Sequence, residues 1–196
     1  MVVNTDASVI WVSVKVKLEE KMVLRSSVIV ILLALAVGAN DLWAESKMGI
    51  AELINAQGKK VGKATFVEGK DGVEIAIEVY GIPQGLHGFH IHSVGKCETP
   101  DFKTAGGHFN PYARKHGLKN PDGSHSGDMP NLLIGPSGNS SAIVLVPLVT
   151  LGEGKNSLFQ SEGTSIVIHA GEDDQMTDPS GNSGDRIACG IIKKGE

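Results

Sequence analysis

Aromatic side chains are scarce in this sequence, at 5% of its residues, and cysteine occurs only as Cys97 and Cys189. A chain poor in aromatics yet carrying 25 glycines suits short strands joined by many turns better than long packed helices. It also lacks a basic stripe, because 18 lysines and arginines face 22 acidic residues for a formal net charge of -4. Without a basic face to neutralise phosphates, nucleic acid is excluded as an expected partner. No internal repeat and no proline-rich or glutamine-rich tract is present, so repeat and low-complexity architectures are not indicated.

A long hydrophobic run is missing too. The apolar stretch at residues 28–37, VIVILLALAV, is ten residues long, whereas a membrane-spanning helix needs roughly 20. It follows Lys21 and Arg25 and precedes small residues, which are the parts of a secretory signal peptide. Cleavage after Ala39 and cleavage after Ala44 both fit, with an uncleaved anchor as the alternative. Glu19 and Glu20 sit badly in a signal sequence, which makes Met22 the expected translation start. Residues 1–44 are therefore read as an N-terminal extension and signal peptide, and residues 45–196 as one domain. The mature form is expected in the periplasm or secreted, and free of the membrane. In such an oxidising compartment two cysteines usually pair; two buried thiols are the alternative. Closing a loop of about 90 residues stabilises by roughly 4–5 kcal/mol in the chain-entropy model.

What the domain has in abundance is strand patterning. Val73, Ile75, Ile77 and Val79 alternate with Glu74, Ala76, Glu78 and Tyr80, the period of two of a half-buried strand. Gly81-Ile82-Pro83 then signals a turn. Further strands are expected at residues 49–55, 59–67, 86–92, 141–148, 164–169 and 186–192. Short strands separated by turn chemistry predict an antiparallel sandwich or barrel. Residues 93–132 and 171–184 break the rhythm. A structureless loop of about forty residues is uncommon in a compact domain unless it has a function, and the first of these carries three histidines and Cys97.

Seven histidines occur, none of them before residue 87. His90 and His92 flank Ile91, so a strand there puts both imidazoles on one face and turns Phe89 and Ile91 into the core. Two such imidazoles can grip one ion, although a lone His-x-His pair is more often an ordinary surface pair. His169 shifts the balance. It ends the apolar run Ile166-Val167-Ile168, where a histidine leaving the core needs a polar partner or a metal. His108, His116, His125 and Asp128 lie within 21 residues of glycine-rich loop. Three imidazoles and a carboxylate form a closed tetrahedral set suited to zinc, with no position left for a catalytic water. The bland alternative is a solvated loop with incidental histidines.

Five segments together narrow the choice. Gly88-Phe89-His90-Ile91-His92, Gly106-Gly107-His108-Phe109-Asn110-Pro111, Arg114-Lys115-His116-Gly117, His125-Ser126-Gly127-Asp128 and Gly184-Asp185-Arg186-Ile187-Ala188-Cys189-Gly190 resemble, in order, the signature segments of the copper/zinc superoxide dismutases. The resemblance runs from about residue 49 to 192. It implies an all-β fold, a Greek-key antiparallel β-sandwich or barrel of about eight strands with long metal-binding loops. His90, His92 and His169 match the ligands of copper alone, and His108 matches the imidazolate shared by copper and zinc. His116, His125 and Asp128 match the other zinc ligands. Asp173 matches the carboxylate that joins a copper ligand to a zinc ligand, and Arg186 the arginine that receives the superoxide anion. Cys97 and Cys189 match the intrasubunit disulfide, while His87 matches no ligand and is read as structural. Ten residues separate Cys97 from His108, and Asp128-Met129-Pro130 is close to bacterial wording, so the secreted bacterial branch is indicated. Asn110-Pro111 reads more like the eukaryotic form, and no histidine-rich arm occurs between residues 45 and 86.

The activity implied is conversion of superoxide and protons to O₂ and H₂O₂ by a redox-cycling copper, with zinc as a structural partner. Arg186 and His108 are the residues this chemistry would use directly, and superoxide is the expected substrate. Lys115 and Lys119 are candidates for focusing the anion, against the acidic run Glu172-Asp173-Asp174. Monomer and homodimer both stay open. A metal-carrying module on the same fold would be expected to lack a copper ligand or the arginine, and a zinc hydrolase would need an open zinc position; neither pattern is present.

Overall fold

A computed structural model describes residues 47–195; the expected signal peptide, Met22 and both cleavage points lie outside the described residues. The strands are β1 (Met48–Asn55), β2 (Lys60–Gly69), β3 (Gly72–Val79), β4 (Gly85–His87), β5 (Phe89–His92), β6 (Leu132–Ile134), β7 (Ser140–Val146), β8 (Thr164–His169) and β9 (Arg186–Lys194). Among the described residues there is no α-helix, only a 3-10 turn at Lys103–Ala105.

The alternation that predicts β3 is realised: Val73, Ile75, Ile77 and Val79 are buried, while Glu74, Ala76 and Glu78 face out. The strand pairs along one edge with β2 and along the other with β7, and the full antiparallel sheet runs β5-β8-β9-β1-β2-β3-β7. Within it, β9 returns beside β1, giving the β9-β1-β2-β3 order of a Greek key. The remaining pair, β4-β6, connects the two sheet edges in sequence, since β4 runs into β5 and β6 leads to β7.

The single strand expected over residues 86–92 is broken at Gly88. On one side of the break β4 pairs with β6, and on the other β5 pairs with β8. Gly88 instead donates its N–H to the Gly171 carbonyl at 2.8 Å and accepts from the His169 N–H at 2.8 Å. The chain therefore changes partners where the second long loop leaves β8. With β6, three residues long and too short to show a period, the strands among the described residues number nine, in keeping with an expectation of about eight.

All four residues of β5 are buried, but for two reasons. Phe89 and Ile91 join Leu53, Phe66, Ile75 and Ile166 in the barrel core. His90 and His92 point the other way and would face water had the loops not folded over them. The free edge of β5 is closed by loop backbone: Ile91 N–H donates to Gly127 O at 2.9 Å, and Phe109 N–H donates to Ile91 O at 2.8 Å. Those bonds satisfy an edge strand that would otherwise be exposed, and they bring His108 and Asp128 beside His92 and His90.

A second, smaller core lies under the first loop. Phe102, Ala105, Val167 and Cys189 are fully buried together, with Ile54 and Cys97 packed against them. Cys97 and Cys189 are disulfide-bonded, with 5.6 Å between their Cα atoms. Pairing, expected from the sequence, is thus realised, and it pins the loop to β9. Replacing both cysteines by serine should lower the unfolding free energy of the metal-free protein by roughly 3–5 kcal/mol. Urea denaturation measures this; a loss below about 1 kcal/mol would mean that the small core alone holds the loop.

Candidate metal centre

Strands and loops contribute different halves of the site. His90 and His92 sit on the outer face of β5, and His169 ends β8, where a register shift follows Ile168. His108, His116, His125 and Asp128 all come from the first loop. Two four-residue sets result, His90/His92/His108/His169 and His108/His116/His125/Asp128, each with one potential ligand atom per residue inside a 4.8 Å span. Every residue named in advance as a metal ligand falls into one of these sets, and His108 belongs to both.

The hydrogen bonds decide which ring nitrogen each histidine offers. His90 Nε2–H donates to Asp173 Oδ2 at 2.7 Å, leaving Nδ1 buried and without a partner. His92 Nδ1–H donates to Gly106 O at 2.9 Å and His169 Nδ1–H to Gly184 O at 3.0 Å. Their Nε2 atoms face each other at 3.4 Å. His108 Nε2 is also buried and unpartnered. Unpaired lone pairs on buried imidazoles are costly unless something occupies them, and four converging nitrogens suit copper among other imidazole-binding metals.

In the second set, Asp128 Oδ1 is the point of convergence. His108 Nδ1, His116 Nδ1 and His125 Nδ1 approach it at 2.9, 3.1 and 3.3 Å. Its other oxygen is fixed by the backbone N–H groups of Gly117 and His125, each at 2.9 Å. Three nitrogens and one held carboxylate oxygen match a closed tetrahedral zinc set. The donor chemistry of both sets therefore fits the metals in question.

Asp173 connects the two. Its Oδ2 accepts from His90, and its Oδ1 accepts from His116 Nε2–H at 3.0 Å. The backbone of Asp173 is held in turn by Asn131, whose side chain donates to Asp173 O and accepts from Asp173 N–H, both at 2.8 Å, and the carboxylate also accepts from the Gln175 N–H at 2.6 Å. Gly181, at φ 63, crosses directly over it; a Cβ there would overlap Asp173 Oδ1 and come within 2.8 Å of His116 Nε2.

Burial and charge divide the histidines. Desolvation holds His90 at about 3 and His169 at about 4, and pushes His92 and His108 below the ordinary imidazole value. His116 is also desolvated, but hydrogen bonds to Asp128 and Asp173 outweigh that and raise it to about 9. For both carboxylates burial alone would raise the pKa. Asp128 nevertheless lies far below the usual carboxylate range because His108, His116, His125 and the Gly117 N–H bond to it. His116 and His90 do the same for Asp173.

Several residues around the site carry no sequence signal. Asn131 is one. Asp178 is another: it accepts from the His116 N–H at 2.8 Å and from Lys115 Nζ at 2.9 Å. Lys115, a candidate for focusing an anion, is therefore already paired. Asp174 is held at about 2 by hydrogen bonds from Thr177 and Met176, so it caps its own turn. His87 lies outside both sets, its Nδ1 2.8 Å from the His169 carbonyl oxygen and its Nε2 2.9 Å from that of Pro83. Arg186 donates to Phe102 O at 2.7 Å and Gly106 O at 2.6 Å.

The sequence profile described as "Copper/zinc superoxide dismutase (SODC)" matches residues 60–192. "Superoxide dismutase [Cu-Zn] 1" of Aquifex aeolicus (strain VF5) is 52% identical over 145 residues, covering 73% of this chain and 86% of that protein. Among solved structures, a SOD-like protein from Bacillus subtilis superposes with a TM-score of 0.71 at 41% identity, covering 72% of this chain and 96% of that one. The Cu/Zn superoxide dismutase from Brucella abortus gives 0.62 at 28% identity, over 74% and 99% of the respective chains.

The pKa pattern sets a pH dependence for the metal-free protein. His90 and His169 are held near 3 and 4, so the unfolded chain takes up protons before the fold does. The stability they contribute is present above the ordinary value of 6.5 and is lost as pH falls toward 4 and 3. His116 has the opposite sign: its contribution is present below 6.5 and lost as pH rises through about 9. Melting of metal-free protein should therefore move to lower temperature between pH 6.5 and 4. In Asp173→Asn, NMR titration should find His116 below its value of about 9. An unmoved His116 would disprove the coupling through Asp173.

Proposed function

Because the chain belongs to the copper/zinc superoxide dismutase family, we propose that its two ligand sets hold copper and zinc and that His108 joins them in dismuting superoxide. The observation that carries this reading is the position of one side chain. His108 Nδ1 lies with the Asp128 set, and His108 Nε2 lies, unpartnered, with His90, His92 and His169. Copper, when bound, supplies one-electron redox chemistry, and zinc supplies a fixed positive charge without redox change.

The chain's own residues do the remainder. His108 Nε2 is the atom at which a proton can be held or released, because Nδ1 is committed to the opposite set. Its neutral form is favoured by burial, which lowers its pKa. Arg186 binds and orients the superoxide anion. Burial lowers its pKa somewhat, with nearby Asp101 opposing, yet a guanidinium stays charged at working pH. Gly106 O accepts from both Arg186 and His92, which fixes the cation relative to a copper-set histidine. Asp173 keeps His90 Nδ1 and His116 Nδ1 turned inward by holding the other nitrogen of each ring.

Localisation outside the cytoplasm, in the periplasm or secreted, is supported by the disulfide, which persists in oxidising compartments.

Three measurements test the proposal. Protein loaded with copper and zinc should dismute superoxide, lose that activity when copper is removed, and regain it on reloading. A loaded protein with no such activity would leave metal storage as the better reading. Arg186→Ala should keep both metals and lose activity by about tenfold or more at low ionic strength, with a flatter salt dependence. Replacing His108 by alanine should uncouple the sites, so that zinc removal no longer alters copper affinity; continued coupling would remove His108 as the link.

A further inference from the structure

Phe102 combines three features that no ligand assignment explains. Its side chain is fully buried in the small core with Ala105, Val167 and Cys189. Its backbone is left-handed, at φ 53 and ψ 22. A bulky residue there is a true outlier, since its Cβ crowds the following carbonyl. Such a conformation persists only where the surroundings over-determine it, and it clusters at functional sites.

The third feature says what the outlier accomplishes. The Phe102 carbonyl accepts from Arg186 Nη1 at 2.7 Å and from the Ala105 N–H at 3.1 Å, so both lone pairs are used. Three residues of 3-10 turn later, Gly106 sits at φ 76 and ψ -158, a region open essentially to glycine, and presents its carbonyl to Arg186 Nη2 at 2.6 Å. The two carbonyls thus form a two-point seat for the guanidinium. The Gly106 end is held by backbone bonds on either side of it, from Val94 N–H to Ala105 O and from Ser93 N–H to Gly107 O, and the Phe102 end by its N–H to Glu98 O and by its buried ring.

We propose that Phe102 is the positioning residue for Arg186: its buried ring locks the left-handed turn whose carbonyl sets the guanidinium. This rests on the reading of Arg186 as the anion-binding residue, but the seat itself is tested separately from that reading. The Phe102 carbonyl bonds directly to Arg186, whereas it reaches the ligand histidines only through the turn that leads to Gly106, whose carbonyl also holds His92.

The experiment compares Phe102→Gly, which permits the left-handed backbone but removes the anchor, with Phe102→Leu, which keeps apolar bulk. Reactivity of Arg186 toward phenylglyoxal is followed by peptide mass spectrometry in metal-free and metal-loaded protein, with Arg114 as the internal standard. Arg186 should react about fivefold to tenfold faster in Phe102→Gly and by a smaller factor in Phe102→Leu, the change expected when a charge-assisted hydrogen bond is loosened. Copper and zinc content should stay at the unsubstituted level, while azide binds the loaded variants more weakly and the salt dependence of dismutation flattens. In the unsubstituted protein, the Arg186 guanidinium protons should exchange with solvent more slowly than those of Arg114, a measurement that needs no variant. Unchanged Arg186 reactivity in either folded variant, or equal exchange of the two arginines, overturns the proposal. Full activity of Arg186→Ala would instead overturn the role of Arg186 while leaving the seat intact.

Discussion

One carboxylate decides the geometry of everything around it. Asp173 takes a ring N–H from His90 with one oxygen and from His116 with the other. A neutral imidazole has a single N–H, so committing it outward leaves the inward nitrogen with a lone pair. Asp173 therefore fixes the tautomer of His90, and that of His116 once its second proton is displaced, from a loop distant in sequence from either histidine. Its own position depends on Asn131 and on the absence of a side chain at Gly181. A carboxylate this buried and this tightly held is a rigid template, and outer partners of that kind govern ligand orientation.

The strand-borne and loop-borne histidines prepare for metal in different ways. His90, His92 and His169 project from paired strands, and burial keeps them neutral, ready to donate lone pairs without first losing a proton. The loop set faces two carboxylates, and in the absence of metal His116 answers by holding a proton. Filling that set must displace the proton, so zinc affinity should depend more steeply on pH near neutrality than copper affinity. His108 stands between the two regimes, its Nδ1 beside Asp128 and its Nε2 among the neutral rings.

Much of this was legible in the residues. Strict alternation marked β3, and the apolar residue between His90 and His92 placed both imidazoles on one face. The spacing of His108, His116, His125 and Asp128 suggested a closed set, and all four converge. Other features left no trace, for physical reasons. The break at Gly88 arises because a distant carbonyl, that of Gly171, captures its N–H. Asn131 and Asp178 act on backbone groups, and any sequence contains many such residues in loops. The acidic run at residues 172–174 looked like one patch of negative charge, yet Asp173 is buried between histidines and Asp174 caps a turn. Charge counted along a sequence is not charge presented to an anion.

The role of the small core follows from the same distinction between what is near in sequence and what is near in space. Arg186 opens β9, yet both of its anchors lie in the loop that starts more than eighty positions earlier. A long loop is entropically free to wander unless something ties it down. The disulfide ties it covalently at Cys97, and the Phe102 ring ties it again, five residues on, by burial against Val167 and Cys189. Between those ties and His108 the chain has room for little more than the 3-10 turn and the two glycines that follow it. The carbonyls that seat the cation and the imidazole shared by the two ligand sets are thus on one short, doubly anchored segment. Placing the seat of the Arg186 guanidinium and the shared histidine on one short piece of chain fixes the distance between that seat and His108.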